Sequence, residues 1–136
     1  MNKYKNFLVI TLIIIVPVIL YYAFKSGSVD NPINIAQAFT SKKPVVLDFS
    51  SELCLECKEL DKVLKPAIEK YNNKIIFEKI PINSNNPDYE KLIEEHGVNV
   101  VPTLVFIDKK GKTIQITEGS LTKEELERYL NKLIDG

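Results

Sequence analysis

Histidine, cysteine and surplus charge are all scarce in this chain. Among 136 residues there is one histidine and there are two cysteines. Structural zinc normally takes four Cys or His ligands, so a site here would have to recruit carboxylates or a second chain, because His96 is far from both sulfurs in sequence. Lys58, not a histidine, follows the second cysteine, which removes the pattern for covalent haem attachment. Lysine and arginine total 18 against 18 aspartates and glutamates, and so even a balance offers no basic stripe for nucleic acid. Low-complexity tracts and internal repeats are absent, and the scattered Lys and Glu read as a solvated surface. A hydrophobic content of 45% over this length suits a single core, hence one domain besides the first segment.

The two cysteines stand as Cys54-Leu55-Glu56-Cys57, directly after an apolar strand pattern and at the start of a helical one. Such a pair can close a disulfide across one turn, and a helix N-terminus stabilises the first sulfur as a thiolate, the nucleophile of disulfide exchange. A purely structural bridge is a rival reading, although so short a loop contributes only about 2 kcal/mol in the chain-entropy model. Metal binding is the third.

Phe7 to Phe24 runs 18 residues without a charge. As a helix it would extend about 27 Å, close to the ~30 Å of a hydrocarbon core. Tyr4, Tyr21 and Tyr22 fall where an aromatic belt sits, and Pro17 is tolerated in a membrane helix. A cleaved signal peptide is the alternative, but the residues after the run are bulky and Ser26 and Ser28 make a weak cleavage site. The sequence therefore predicts an uncleaved anchor over residues 1–25, a polar linker over 26–32 and a globular domain over 33–136. Lys3 and Lys5 place the N-terminus in the cytoplasm by the positive-inside rule, with the domain outside, where disulfides form and exchange.

Within the domain, Ile33 to Phe39 suggests a brief helix, and Val45 to Phe49 a buried strand in which Asp48 is out of place. Leu60, Val63, Leu64, Ala67, Ile68 and Tyr71 give the next helix its apolar stripe, with a kink expected at Pro66. Ile75 to Ile82 reads as an edge strand because of Pro81, and Tyr89, Leu92 and Ile93 as a short helix closed at Gly97. Thr103 to Asp108 and Thr113 to Glu118 form a hairpin about Lys109-Lys110-Gly111. Thr122 and Glu125 make a capping box for a last helix with Leu126, Tyr129, Leu130 and Leu133 inward. The order β-α-β-α-β-β-α implies an α/β fold with a mixed sheet of about four strands and helices on both faces.

This order, with CxxC after the first core strand and an isolated proline before the third, resembles the thioredoxin-like family over residues 33–136. Asp48 stands six residues before Cys54, Lys79 occupies the basic position in the next strand, Val101-Pro102-Thr103 matches the cis-proline loop, and Gly119 matches the glycine after the last strand. The chain departs from the pattern in having Leu53 in place of tryptophan, Leu55-Glu56 in place of Gly-Pro, and a later helix proline. With the apolar segment, this is most similar to membrane-tethered members that reduce substrates outside the cytoplasm.

The resemblance implies catalysis by Cys54 as attacking thiolate, Cys57 as resolving thiol and Asp48 as proton relay, its pKa raised by burial, with Lys79 as a candidate to tune it. Val101 and a cis Pro102 would bind an extended substrate segment. Glu56 opposes thiolate formation at Cys54, and His96 is expected to serve the carbonyls of a helix end. The implied activity is thiol-disulfide oxidoreduction on protein cysteines in the reducing direction. It needs no organic cofactor or metal, and a membrane electron-donor protein would recharge the pair. The rivals are a soft-metal carrier for Cu(I), which has no need of a proline loop facing the thiols, and a redox-inert interaction module, which would tolerate serine at both cysteines.

Overall fold

The structure, a computed structural model, describes residues 11–21 and 40–136. The chain divides into two units, Met1–Pro32 and Ile33–Gly136. In the first, residues 11–21 are helical, and Leu12, Ile13, Ile14 and Ile19 expose most of their surface. The rest of the expected 7–24 span, the 26–32 linker and the 33–39 helix lie outside the described residues. Among those described, no helix is long and apolar enough to cross a membrane.

The second unit is built on a four-stranded sheet: β1 (Val45–Ser50), β2 (Ile76–Pro81), β3 (Thr103–Ile107) and β4 (Thr113–Glu118), in the order β2-β1-β3-β4. β1 pairs parallel with β2, Val45 beside Ile76, and antiparallel with β3, Val45 opposite Ile107. All six β1 residues are buried, as expected of a central strand with both faces covered. Its side chains alternate. Val46 joins a core with Leu60, Leu64, Leu104, Phe106, Leu126 and Leu130, while Val45, Leu47 and Phe49 join Ile80, Leu92, Val105 and Ile107 on the other face. The first core lies under α1 (Leu55–Tyr71) and α3 (Lys123–Asp135), and the second under α2 (Pro87–Glu95).

From Val45 onward the expected strands and helices are present, and their edges differ for local reasons. Ile75 N–H donates to the Tyr71 carbonyl at 2.9 Å, so it belongs to the helix exit and β2 starts one residue later. β2 is indeed an edge strand, where the missing N–H of Pro81 costs no ladder bond. β3 ends before Asp108 because that carboxylate accepts from the N–H of Lys110 at 2.8 Å and of Lys112 at 2.9 Å, folding the hairpin turn. α1 runs unbroken through Pro66. Ile68, expected in its buried stripe, is 37% exposed. A four-residue step overshoots a helical turn by about 40°, so the Leu60-Leu64-Ile68 row drifts off the core while Ala67 and Tyr71 stay on it. The Thr122–Glu125 capping box opens α3 as expected. His96 caps α2 through its backbone N–H, which donates to the Leu92 carbonyl, and its imidazole lies 6.3 Å from the Phe49 ring instead of serving the helix carbonyls.

Candidate active site

The chain leaves β1 at Ser50 and turns at once into α1. Cys54 N–H donates to the Ser51 carbonyl at 3.1 Å, closing the turn. Cys54 is the N-cap of α1, with extended backbone (φ −83°, ψ 116°), and its Sγ accepts the Cys57 N–H at 3.0 Å. The first sulfur therefore sits where unpaired amides and the helix dipole favour negative charge. Cys54 and Cys57 are joined by a disulfide, their Cα atoms 5.3 Å apart. Cys54 is half-buried and reachable, whereas Cys57 is 3% exposed beneath it. An incoming sulfur thus meets Cys54 first. Leu53 and Leu55 beside it are almost bare to solvent.

Facing the pair is the loop before β3. The Val101–Pro102 peptide bond is cis, as expected, and the Val101 carbonyl oxygen is 3.8 Å from Cys54 Sγ. Two bonds pin this loop: Thr103 Oγ1 donates to the Val100 carbonyl at 2.8 Å, and Gly119 N–H donates to the Pro102 carbonyl at 2.8 Å. Gly119 makes its bond with φ +84°, a conformation suited to glycine. Next to the loop, Ile82, Ile93, Val98, Asn99, Val100 and Val101 line a cavity of about 280 Å³.

Asp48 is the buried acid. On β1 it shares a face with Val46, the face covered by α1, which also carries Cys57 on its buried side. Its residue exposure is 8%, and one carboxylate oxygen, Oδ1, is buried without a hydrogen-bond partner. Desolvation pushes its pKa up from the ordinary 3.8 to about 6; Lys79 pulls it down and Asp61 pushes it up, both more weakly. Lys79 on β2 pairs with Asp48 in the strand register, but its Nζ stands 3.9 Å from Asp48 Oδ2 and donates to both oxygens of Asp61 at 2.8 Å. Lys79 is therefore neither a free surface lysine nor a close partner of Asp48.

Asp61 was not legible as a site residue. The available signal is its spacing: it lies four residues after Cys57, which stacks the two on one side of α1. Glu78 is a second buried acid, on the other sheet face, where Tyr89 Oη donates to it at 3.3 Å; burial raises its pKa and that bond opposes the rise. Among the described residues no group of three or more His, Cys, Asp or Glu is placed to hold a metal ion.

The family profile described as "Thioredoxin-like domain" matches residues 33–134. The chain belongs to the thioredoxin-like family. Mouse mitochondrial thioredoxin is 32% identical over 105 residues, covering 77% of this chain and 60% of the mouse protein. Thioredoxin-like protein HCF164 of Arabidopsis thaliana is 28% identical over 74% of this chain and 38% of its own length, and the thiol:disulfide interchange protein DsbD of Pectobacterium atrosepticum is 30% identical over 68% and 17% respectively. The chain thus spans less than two thirds of the length of each of these relatives. Among solved structures, the Drosophila germline-specific thioredoxin Deadhead aligns with a TM-score of 0.59 at 29% identity, over 74% of this chain and 88% of that one. Within this thioredoxin-like domain the disulfide occupies the strand-to-helix corner, and the cis-proline loop closes over its accessible sulfur.

Proposed function

We propose that this thioredoxin-like domain is a membrane-anchored thiol-disulfide oxidoreductase that reduces disulfides of proteins outside the cytoplasm. The observation that carries the reading is the asymmetry of the pair: Cys54 capping α1 and accessible, Cys57 buried behind it, with Asp48 on the sheet face below. In the reduced chain the Cys54 thiolate attacks a substrate disulfide, forming a mixed disulfide and expelling the other substrate sulfur as a thiolate, which takes a proton from water. Cys57 then yields its proton to Asp48 and its thiolate attacks Cys54 Sγ. The second substrate sulfur is expelled as a thiolate and takes up the proton that Asp48 holds, so the substrate leaves as a dithiol, having gained two electrons and two protons, and the chain is left as the Cys54–Cys57 disulfide. A second dithiol protein must return the electrons. An extended substrate segment would lie along Val101 and Pro102, with an apolar side chain entering the cavity of Ile82, Ile93 and Val98.

Reduction is favoured over oxidation by the residues between the sulfurs. Exposed Glu56 places a negative charge within one turn of Cys54, and Leu55 offers no polar support, so the thiolate relies on the helix terminus. A less stabilised thiolate favours the disulfide and makes the dithiol the better donor. Equilibration of the purified chain with glutathione should give a potential nearer the about −270 mV of thioredoxin than the about −120 mV of strong protein oxidants. Glu56→His should move it to a less negative value. A wild-type potential near the oxidant figure defeats the reductase assignment.

The uncharged run from Phe7 to Phe24, helical over 11–21 with bare apolar side chains, supports the anchor. Tethering would raise the effective concentration of the domain at a membrane electron donor. Full-length chain expressed in bacterial cells should remain with membranes through an alkaline carbonate wash, and its reduced Cys54 should be labelled by an impermeant maleimide added outside. Recovery in the soluble fraction overturns the anchor; protection from the reagent overturns the orientation.

A further inference from the structure

The ammonium of Lys79 lies between two carboxylates and is shared unequally. It donates to both oxygens of Asp61 at 2.8 Å, yet stands 3.9 Å from the nearer oxygen of Asp48, outside hydrogen-bond range. The unequal sharing follows from placement. Asp61 lies on α1 at the rim of the sheet, its side chain about one third exposed, while the Asp48 side chain is only 11% exposed within β1. A long, half-exposed lysine stem on edge strand β2 can keep its head at the rim, where water solvates the remaining protons, without entering the apolar layer below. The outcome is a buried carboxylate whose Oδ1 has no partner and whose Oδ2 has only a distant one.

We propose that Asp61 is a positioning residue for exchange: by clamping Lys79 at the rim of the sheet, it keeps the lysine from closing on Asp48 and so leaves Asp48 free to take the proton of Cys57. Among the described residues, the charged groups acting on Asp48 are Lys79 from β2 and Asp61 from α1, while its neighbour on β3 is the apolar Leu104. Both contributions of Asp61 therefore act in one direction. Its own charge repels that of Asp48, and its grip restrains the cation, Lys79, that would hold Asp48 ionised. A direct Lys79–Asp48 ion pair would keep Asp48 a carboxylate across the working range and leave it a weak base for a thiol. The catalytic consequence rests on the exchange function proposed above, but the clamp itself is measurable without substrate.

The test is a titration of the Asp48 carboxyl by carbon-13 NMR in the full-length, oxidised chain in detergent, for wild type, Asp61→Asn, Lys79→Met and the double variant. Asp61→Asn should lower the Asp48 midpoint by about one pH unit, the lower end of what an opposite charge at contact produces. Lys79→Met should raise it, and in the Lys79→Met background Asp61→Asn should shift it by less than half as much, since there is no lysine to release. Asp61→Glu, which keeps the clamp, should leave it near wild type. An unchanged or raised midpoint in Asp61→Asn overturns the proposal, as does an equal shift with and without Lys79, which would reduce Asp61 to simple repulsion. With a model disulfide, the acid limb of the pH–rate profile should move with the NMR midpoint. If the midpoint shifts as stated and the rate does not follow, the clamp stands and the relay role of Asp48 fails.

Discussion

Cys54→Ser is expected to abolish disulfide exchange, while Cys57→Ser arrests it half-way. The difference follows from which sulfur is reachable: Cys54 is half-buried at the α1 N-cap, and Cys57 is 3% exposed. With Cys57 replaced by serine, Cys54 still attacks and forms a mixed disulfide, but no internal thiolate follows to release it. Replacing Cys54 removes the attacking group, and Cys57 cannot substitute because substrate cannot reach it. Acid-quenched cells carrying each variant, separated on non-reducing gels, should show thiol-sensitive adducts for Cys57→Ser and none for Cys54→Ser. Equal trapping by both variants would overturn the assignment of roles, and full function with both serines would establish an interaction module instead.

Asp48→Asn should move rate and stability in opposite directions. Loss of the proton acceptor should slow reduction of a model disulfide at pH 7 by up to about a hundredfold, the lower end of general acid–base contributions. The wild-type rate should fall as pH drops through about 6, when Asp48 becomes protonated, and the asparagine variant should lack that limb. For stability the sign is set by the raised folded pKa. Between 3.8 and about 6 the folded chain holds a proton that the unfolded chain has released, so stability falls as pH rises through that window and stays lowered above it. The penalty is about 3 kcal/mol at most by linkage, reduced in practice by the new amide's own unmet hydrogen bonds. Melting curves should show Asp48→Asn more stable than wild type at pH 8, with the gain disappearing below pH 4. An unchanged rate with raised stability would leave Asp48 a buried charge without a role in proton transfer.

The sequence carried the fold through periodicity. Short apolar runs bounded by turn residues marked the strands, and the Leu60-Leu64-Ala67-Tyr71 spacing marked the helix that covers them, because burial of one helix face forces a repeat that survives in the chain. Turn chemistry did the same at Lys109-Lys110-Gly111 and at the Thr122–Glu125 box, where local hydrogen bonds define the structure without distant help. The error at Ile68 has the opposite origin: a residue can fit the repeat and still rotate past the edge of the core.

The site was legible where its chemistry is local and obscure where it is not. Two cysteines at a strand-to-helix junction specify their own proximity, since three residues of α-helix bring them to a Cα separation of 5.3 Å. An aspartate in an apolar strand advertises itself because unpaired burial is costly. Pro102 became meaningful through resemblance, and the tertiary structure then put the neighbouring Val101 carbonyl 3.8 Å from Cys54 Sγ, across 47 positions of sequence. Only the tertiary structure decided how Lys79 divides between Asp48 and Asp61. That division depends on differences of about 1 Å at the meeting of β1, β2 and α1, where burial of one carboxylate and hydration of the other choose the partner. Residue types alone pointed to Asp48 and Lys79; the tertiary structure added Asp61, and depth in the fold determined which carboxylate stays paired and which is left to handle a proton.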